Sequence, residues 1–136
     1  MVRELIHDPI LLARKSAPAT REDLPAAQDL LDTLAAHKET CVGMAGNMIG
    51  AFKRIIAFDN GGQYQLMLNP EILKADREYE TEEGCLSLLG VRKCKRWKNI
   101  EVSYQDAAFL PRRQKYSGWI AQIIQHEMDH LEGIII

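Results

Sequence analysis

Leu24, Ala27, Leu30, Leu31, Leu34 and Ala35 recur at three- and four-residue spacing, which predicts a helix from about Asp23 to His37. Pro25 fits its first turn, where a missing N–H removes no hydrogen bond. The segments Arg54 to Asp59 and Tyr64 to Asn69 are rich in strand formers, and Asn60-Gly61-Gly62 between them reads as a hairpin turn. Ile100 to Gln105 alternates as a further strand. From Ser117 onward, Trp119, Ile120, Ile123, Ile124 and Leu131 mark a second helix, with Ser117 as its N-cap and Gly133 as its stop. The pattern is α+β, with strands between two helices. No internal repeat, low-complexity segment or linker interrupts it, and 136 residues suit a single domain spanning positions 1–136.

Composition narrows the field without naming a chemistry. Hydrophobic residues at 46% and charged residues at 26% are ordinary for a globular chain. A formal net charge of -2 gives no electrostatic footprint for nucleic acid. The basic run Arg92, Lys93, Lys95, Arg96 and Lys98 reads as a solvated edge, since Glu78, Glu80, Glu82 and Glu83 lie just upstream. No apolar stretch reaches membrane-spanning length and the N-terminus has no uninterrupted apolar h-region, so a cytoplasmic protein is expected. Three cysteines, Cys41, Cys85 and Cys94, suit reduced thiols and a metal ligand better than a disulfide framework.

The chemistry is concentrated in His126-Glu127-Met128-Asp129-His130, an H-E-x-x-H sequence inside the second predicted helix. Residues four apart share one helical face with Cβ atoms about 5–6 Å apart, so two imidazoles can converge on one ion. Glu127 projects beside them and can exchange protons with water at that ion. From the abundance of His and Glu in this chain, the motif would arise by chance with a probability of roughly 0.01. Two histidines leave a catalytic metal one protein ligand short. Glu82-Glu83-Gly84-Cys85-Leu86-Ser87 offers the candidate, with Gly84 allowing the unusual backbone that a loop needs to bring a thiolate close. Cys41 and Cys94 read instead as small buried hydrophobes.

Glu83-Gly84-Cys85-Leu86-Ser87 followed by Gln125-His126-Glu127-Met128-Asp129-His130-Leu131 resembles the paired E-G-C-L-S and H-E-x-D-H signatures of peptide deformylases. Gly43-Met44-Ala45-Gly46-Asn47-Met48-Ile49-Gly50 is similar to a third signature of that family, G-L-A-A-x-Q-x-G, which lines the substrate cleft. The resemblance implies antiparallel strands packed around a central metal-binding helix. It also implies one divalent ion per chain on Cys85, His126 and His130, iron(II) with zinc or nickel as substitutes. Glu127 would then carry protons and the Leu86 backbone N–H would meet the formyl oxygen. Gly43, Met44, Met48, Gly84, Arg92, Trp119, Gln122 and Ile123 would line the substrate pocket. The implied partners are nascent N-formylmethionyl peptides, met near the ribosome by a monomer that binds neither a specific nucleic acid nor a membrane.

The match departs at named positions. The family's glutamine, a side-chain donor to the formyl oxygen, is here Met48, and a thioether donates no hydrogen bond. Cys41 replaces a glycine, Gly46 an alanine, Leu88-Leu89 stand where a proline is usual, and Gln122 occupies a position expected to be apolar. Three readings follow: a deformylase with reduced turnover, a zinc peptidase built on H-E-x-x-H, and a deformylase-like protein that binds formylated or acetylated peptides without turnover. The first is favoured, because the peptidase would use His or Glu as its third ligand.

Overall fold

The computed structural model describes residues 1–85 and 88–134. It contains helices α1 (Pro9–Leu12), α2 (Leu24–Ala36) and α3 (Gly118–Leu131). The strands are β1 (Gly43–Ala45), β2 (Ile55–Asn60), β3 (Gln63–Cys85), β4 (Leu88–Gln105) and β5 (Pro111–Ser117). They form one sheet in chain order, β1-β2-β3-β4-β5, with every neighbouring pair antiparallel. The α+β expectation holds, with α3 packed against β1, β2, β4 and β5.

The two predicted helices lie where their periodicity puts them. In α2, Ala27, Leu30 and Leu34 are buried and Pro25 sits in the first turn. Both α2 and α3 pack on β2, and Ile55, Ile56, Ala57 and Phe58 are all buried. A strand covered on both faces is expected to read as an uninterrupted apolar run. The turn after β2 is the predicted hairpin, closed through two residues: Gly61 and Gly62 have φ of 66° and 99°, Asn60 pairs with Gln63, and the Gly62 N–H donates to Asp59 Oδ1 at 2.7 Å.

The long β3–β4 ribbon goes beyond the expected strands. Its outer half is built of charged residues in register, with Glu80 opposite Lys95, Glu82 opposite Lys93 and Glu83 opposite Arg92. The acidic and basic runs are therefore two paired strands. Arg96 corrects the solvated-edge expectation most sharply, since it is only 3% exposed. Ser117 takes the extended N-cap conformation but makes no side-chain cap hydrogen bond. Gly133 ends α3 as expected, in the left-handed region at φ 76° with its N–H on the His130 carbonyl at 3.0 Å.

Gly133 also presses on the chain after α1: a methyl group there would run into the Ala13 carbonyl. Gly62→Ala, in open space, should lose only the left-handed backbone preference of roughly 1–2 kcal/mol. Gly133→Ala should lose more, because the neighbouring backbone must move as well. Urea unfolding of the two variants compares them directly; equal losses would mean that the contact between Gly133 and Ala13 yields freely.

Candidate active site

The site is assembled from three elements. Cys85 is the last residue of β3, Gly43 opens β1, and His126, Glu127 and His130 lie on the inward face of α3. Cys85 follows a register shift between Gly84 and Cys85. Such an irregularity re-aims a side chain without leaving the sheet. Gly84 therefore acts differently from the loop expectation: it lies in a strand and is not among the residues with positive φ. A Cβ there would stand 3.2 Å from the Gly90 carbonyl, so the position favours a small residue. Gly43 matters for a related reason, since a Cβ would meet Ile123 Cγ2 at 2.7 Å and Glu127 Oε2 at 2.9 Å.

Cys85, His126 and His130 each offer one ligand atom, and these atoms lie within 4.8 Å of one another. The Nε2 atoms of His126 and His130 are 3.0 Å apart. Two ring nitrogens aimed at each other beside a thiol suit the donor set and close spacing of a tetrahedral divalent ion. The opposite ring nitrogen of His126, Nδ1, is 2.7 Å from Glu83 Oε1, which leaves Nε2 as the ligating atom. Beside the trio, Glu127 Oε1 is buried without a hydrogen-bond partner. The donor set and this orphaned carboxylate oxygen together fit a metal centre.

Glu83 is the residue that sequence reasoning missed. Its carboxylate receives the Arg96 guanidinium through Nε at 3.0 Å and Nη2 at 2.7 Å, and the Gln122 amide at 2.8 Å. Arg96 reaches on to Asp129 Oδ2 at 2.7 Å, and Gln122 accepts the Tyr79 hydroxyl at 3.2 Å. Burial alone would raise the Glu83 pKa, but the hydrogen bonds from His126, Arg96 and Gln122 outweigh it and hold the carboxyl at about 2. Glu127 lacks such donors, and burial pushes its carboxyl up to about 7. Burial, with the neighbouring His126 charge, holds His130 low at about 3. The alternation of Glu78, Glu80 and Glu82 against Tyr79, Thr81 and Glu83 was the signal that Glu83 faces inward.

These residues open into a cavity of about 250 Å³. Gly43, Met48, Gly84, Cys85, Trp119, Gln122, Ile123, His126 and Glu127 line it. Met44 and Arg92 do not. Side chains alternate along β1; Gly43 faces α3, and Met44 is fully buried in the core. Arg92 is half-buried on β4. Trp119 is 62% exposed at the mouth, whereas Ile123 is buried. Thr40, Val42 and Glu82 add to the wall. Cys41 joins them too, half-buried with its thiol on the Gly43 carbonyl at 2.9 Å, so it is more than a core filler. Leu86 lies outside the described residues.

A helix-borne histidine pair and a strand-end cysteine with clustered ligand atoms, beside a cavity lined by a buried carboxylate, define a candidate metallohydrolase centre. The family model for polypeptide deformylase matches residues 4–136. A peptide deformylase of Clostridium beijerinckii is 52% identical over 136 residues, covering 100% of both chains. One of Dictyoglomus turgidum is 38% identical, covering 100% of this chain and 91% of its own. Among solved structures, the Thermotoga maritima peptide deformylase superposes with a TM-score of 0.88 at 28% identity, covering 99% of this chain and 95% of that one. The Met-Ala-Ser-bound enzyme of Acinetobacter baumannii gives a TM-score of 0.88 at 26% identity, covering 99% and 97%. The chain belongs to the polypeptide deformylase family, whose members are metal-dependent hydrolases.

The Glu83–Arg96–Asp129 cluster makes a direct test of what holds the site. Arg96→Met should leave the Glu83 carboxylate buried without its main counter-charge and destabilise the fold by roughly 3–5 kcal/mol. Denaturant unfolding measures this, and a loss below 1 kcal/mol would show that His126 and Gln122 alone satisfy the carboxylate.

Proposed function

We infer that the chain is a peptide deformylase, hydrolysing the formamide bond of N-formylmethionyl peptides to formate and a free amino terminus. The observation that carries this reading is the clustering of the Cys85, His126 and His130 ligand atoms beside a cavity lined by Cys85, His126 and Glu127, in a chain matched to the family over almost its whole length. The methionine-headed tripeptide bound by the Acinetobacter enzyme has the form of a deformylated product, and we assign that ligand class to this cavity. The same reading extends to a cytoplasmic monomer that meets nascent chains near the ribosome.

One divalent ion per chain, which we assign as iron(II) with zinc or nickel as substitutes, would polarise the formyl carbonyl and lower the pKa of nearby water. Cys85, His126 and His130 would hold it, with Glu83 fixing the ring of His126 from behind. Glu127, aimed into the site with a free oxygen, takes a proton from the attacking water and hands it to the departing amine. Ile123, Trp119 and the aliphatic part of Gln122 form the wall for the methionine side chain. Gly43 and Gly84 let the backbone approach the formyl end.

Met48 is where this chain departs. It lines the cavity, but its sulfur accepts the Ala45 N–H at 3.4 Å and supplies no donor to a developing oxyanion. Asn47 does not stand in for it, because its amide is spent on the His130 carbonyl at 2.8 Å and the Leu12 carbonyl at 3.4 Å. Loss of one such donor slows a hydrolase and does not abolish it, so the reading of a binder without turnover is not favoured.

The ligand and proton-transfer assignments separate cleanly by substitution. Cys85→Ser should retain less metal than the parent, and Cys94→Ser should retain as much. Glu127→Gln should keep its metal and lose formate release. Metal analysis beside a formate assay reads both; full metal occupancy in Cys85→Ser, or metal loss in Glu127→Gln, would overturn the respective role.

Met48→Gln should raise kcat, by up to a factor on the order of 10²–10³, while KM hardly changes. The new Oε1 can keep the Ala45 N–H and leave Nε2–H for the formyl oxygen. Steady-state kinetics with a formyl-Met peptide at matched metal content decides it, and an unchanged kcat would end the oxyanion explanation.

A further inference from the structure

Asn47 is fully buried in the 3-10 turn Gly46–Ile49, one residue before Met48. Its side chain turns away from the cavity and donates to the backbone carbonyl of His130, 83 residues distant, at 2.8 Å. That carbonyl lies in the last turn of α3, where helix carbonyls have no intrahelical partner. Backbone donors serve the same end: Glu132 and Ile134 N–H on Asp129 O, Gly133 N–H on His130 O, and Ser16 N–H on Leu131 O. Asn47 is the side chain added to this set, and it takes the second lone pair of a carbonyl that Gly133 has already capped.

The other end of the amide shows that Asn47 is not there for core stability. Asn47 Oδ1 is buried without a partner, an arrangement that a leucine of similar size would avoid. What the amide provides is a fixed link between the turn carrying Met48 and the helix end carrying His130. We propose that Asn47 is a positioning residue for the metal centre, holding the His130 backbone so that its Nε2 stays aimed at that of His126. This rests on the reading of Cys85, His126 and His130 as metal ligands. Fraying of the last turn of α3 would swing His130 off the pair while leaving Cys85 and His126 in place.

The test uses the full chain reconstituted with Co²⁺, reading visible absorption, dissociation constant by chelator competition, and thermal unfolding of the metal-free protein. Asn47→Leu should unfold at a temperature close to the parent, because it removes a donor and an orphaned acceptor together. Its Co²⁺ dissociation constant should nevertheless rise by about 10-fold or more, the usual scale for losing a group that orients a ligand, with altered visible bands. Asn47→Ala repeats the measurement should leucine fit poorly, and Ser16→Ala, which removes an orphaned hydroxyl near the helix end, should leave affinity and spectrum unchanged. Unchanged affinity and bands in both Asn47 variants would overturn the proposal. So would an affinity loss that merely tracks lost stability and appears equally in Ser16→Ala. A parent that fails to bind one Co²⁺ through Cys85 would instead overturn the ligand reading, and the proposal with it.

Discussion

The Glu83 carboxylate is the constraint on which the rest of the site depends. Removing a carboxylate from water is expensive by several kcal/mol, and a single counter-ion seldom offsets it. Here Arg96 from β4 and Gln122 and His126 from α3 converge on two oxygens from β3. Each donor comes from an element that must be in place for the cavity to exist. The carboxylate therefore ties the ribbon to the helix and, through one ring nitrogen, decides which nitrogen of His126 faces inward. Because Cys85 lies two residues further along the same strand, fixing Glu83 also fixes the approach of the thiol.

Elements with one buried stripe or two buried faces were legible in the sequence. The periodicity of α2, the apolar run of β2 and the Asn-Gly-Gly turn each express a local rule that tertiary packing did not override. The outer half of the β3–β4 ribbon was not legible as strand, because its burial is slight and its residues are mostly charged: Glu80 and Glu82 stand opposite Lys95 and Lys93 across the ladder. Charge runs carry no hydrophobic period to read. The same blindness hid Arg96, whose burial depends on partners from β3 and α3.

Within the site, His126, Glu127 and His130 were legible because helical spacing is itself geometry. Cys85 was reached from the missing third ligand and the adjacent Gly84, and the resemblance made that candidate specific, since a lone cysteine on a strand has no local signature. Met44 shows the limit of transferring positions by motif, since the alternation of β1 turns it into the core, and Arg92, on β4, is not among the residues that line the cavity. The superposition on the Thermotoga enzyme at 28% identity shows how far the framework outlasts its residues. The departures at Cys41, Met48 and Gln122 all fall on the cavity.

The exposed indole at the mouth has an optical consequence. The chain has two tryptophans, and they report on different regions: Trp97 is half-buried on the ribbon, with its backbone N–H donating to Gln125 Oε1, while Trp119 stands 62% exposed on the cavity rim. An indole in water emits at longer wavelength than one covered by apolar groups. On the proposed reading, a peptide entering the cavity would dehydrate Trp119 and leave Trp97 as it was, so a blue shift in the unlabelled protein would register occupancy before any bond is broken.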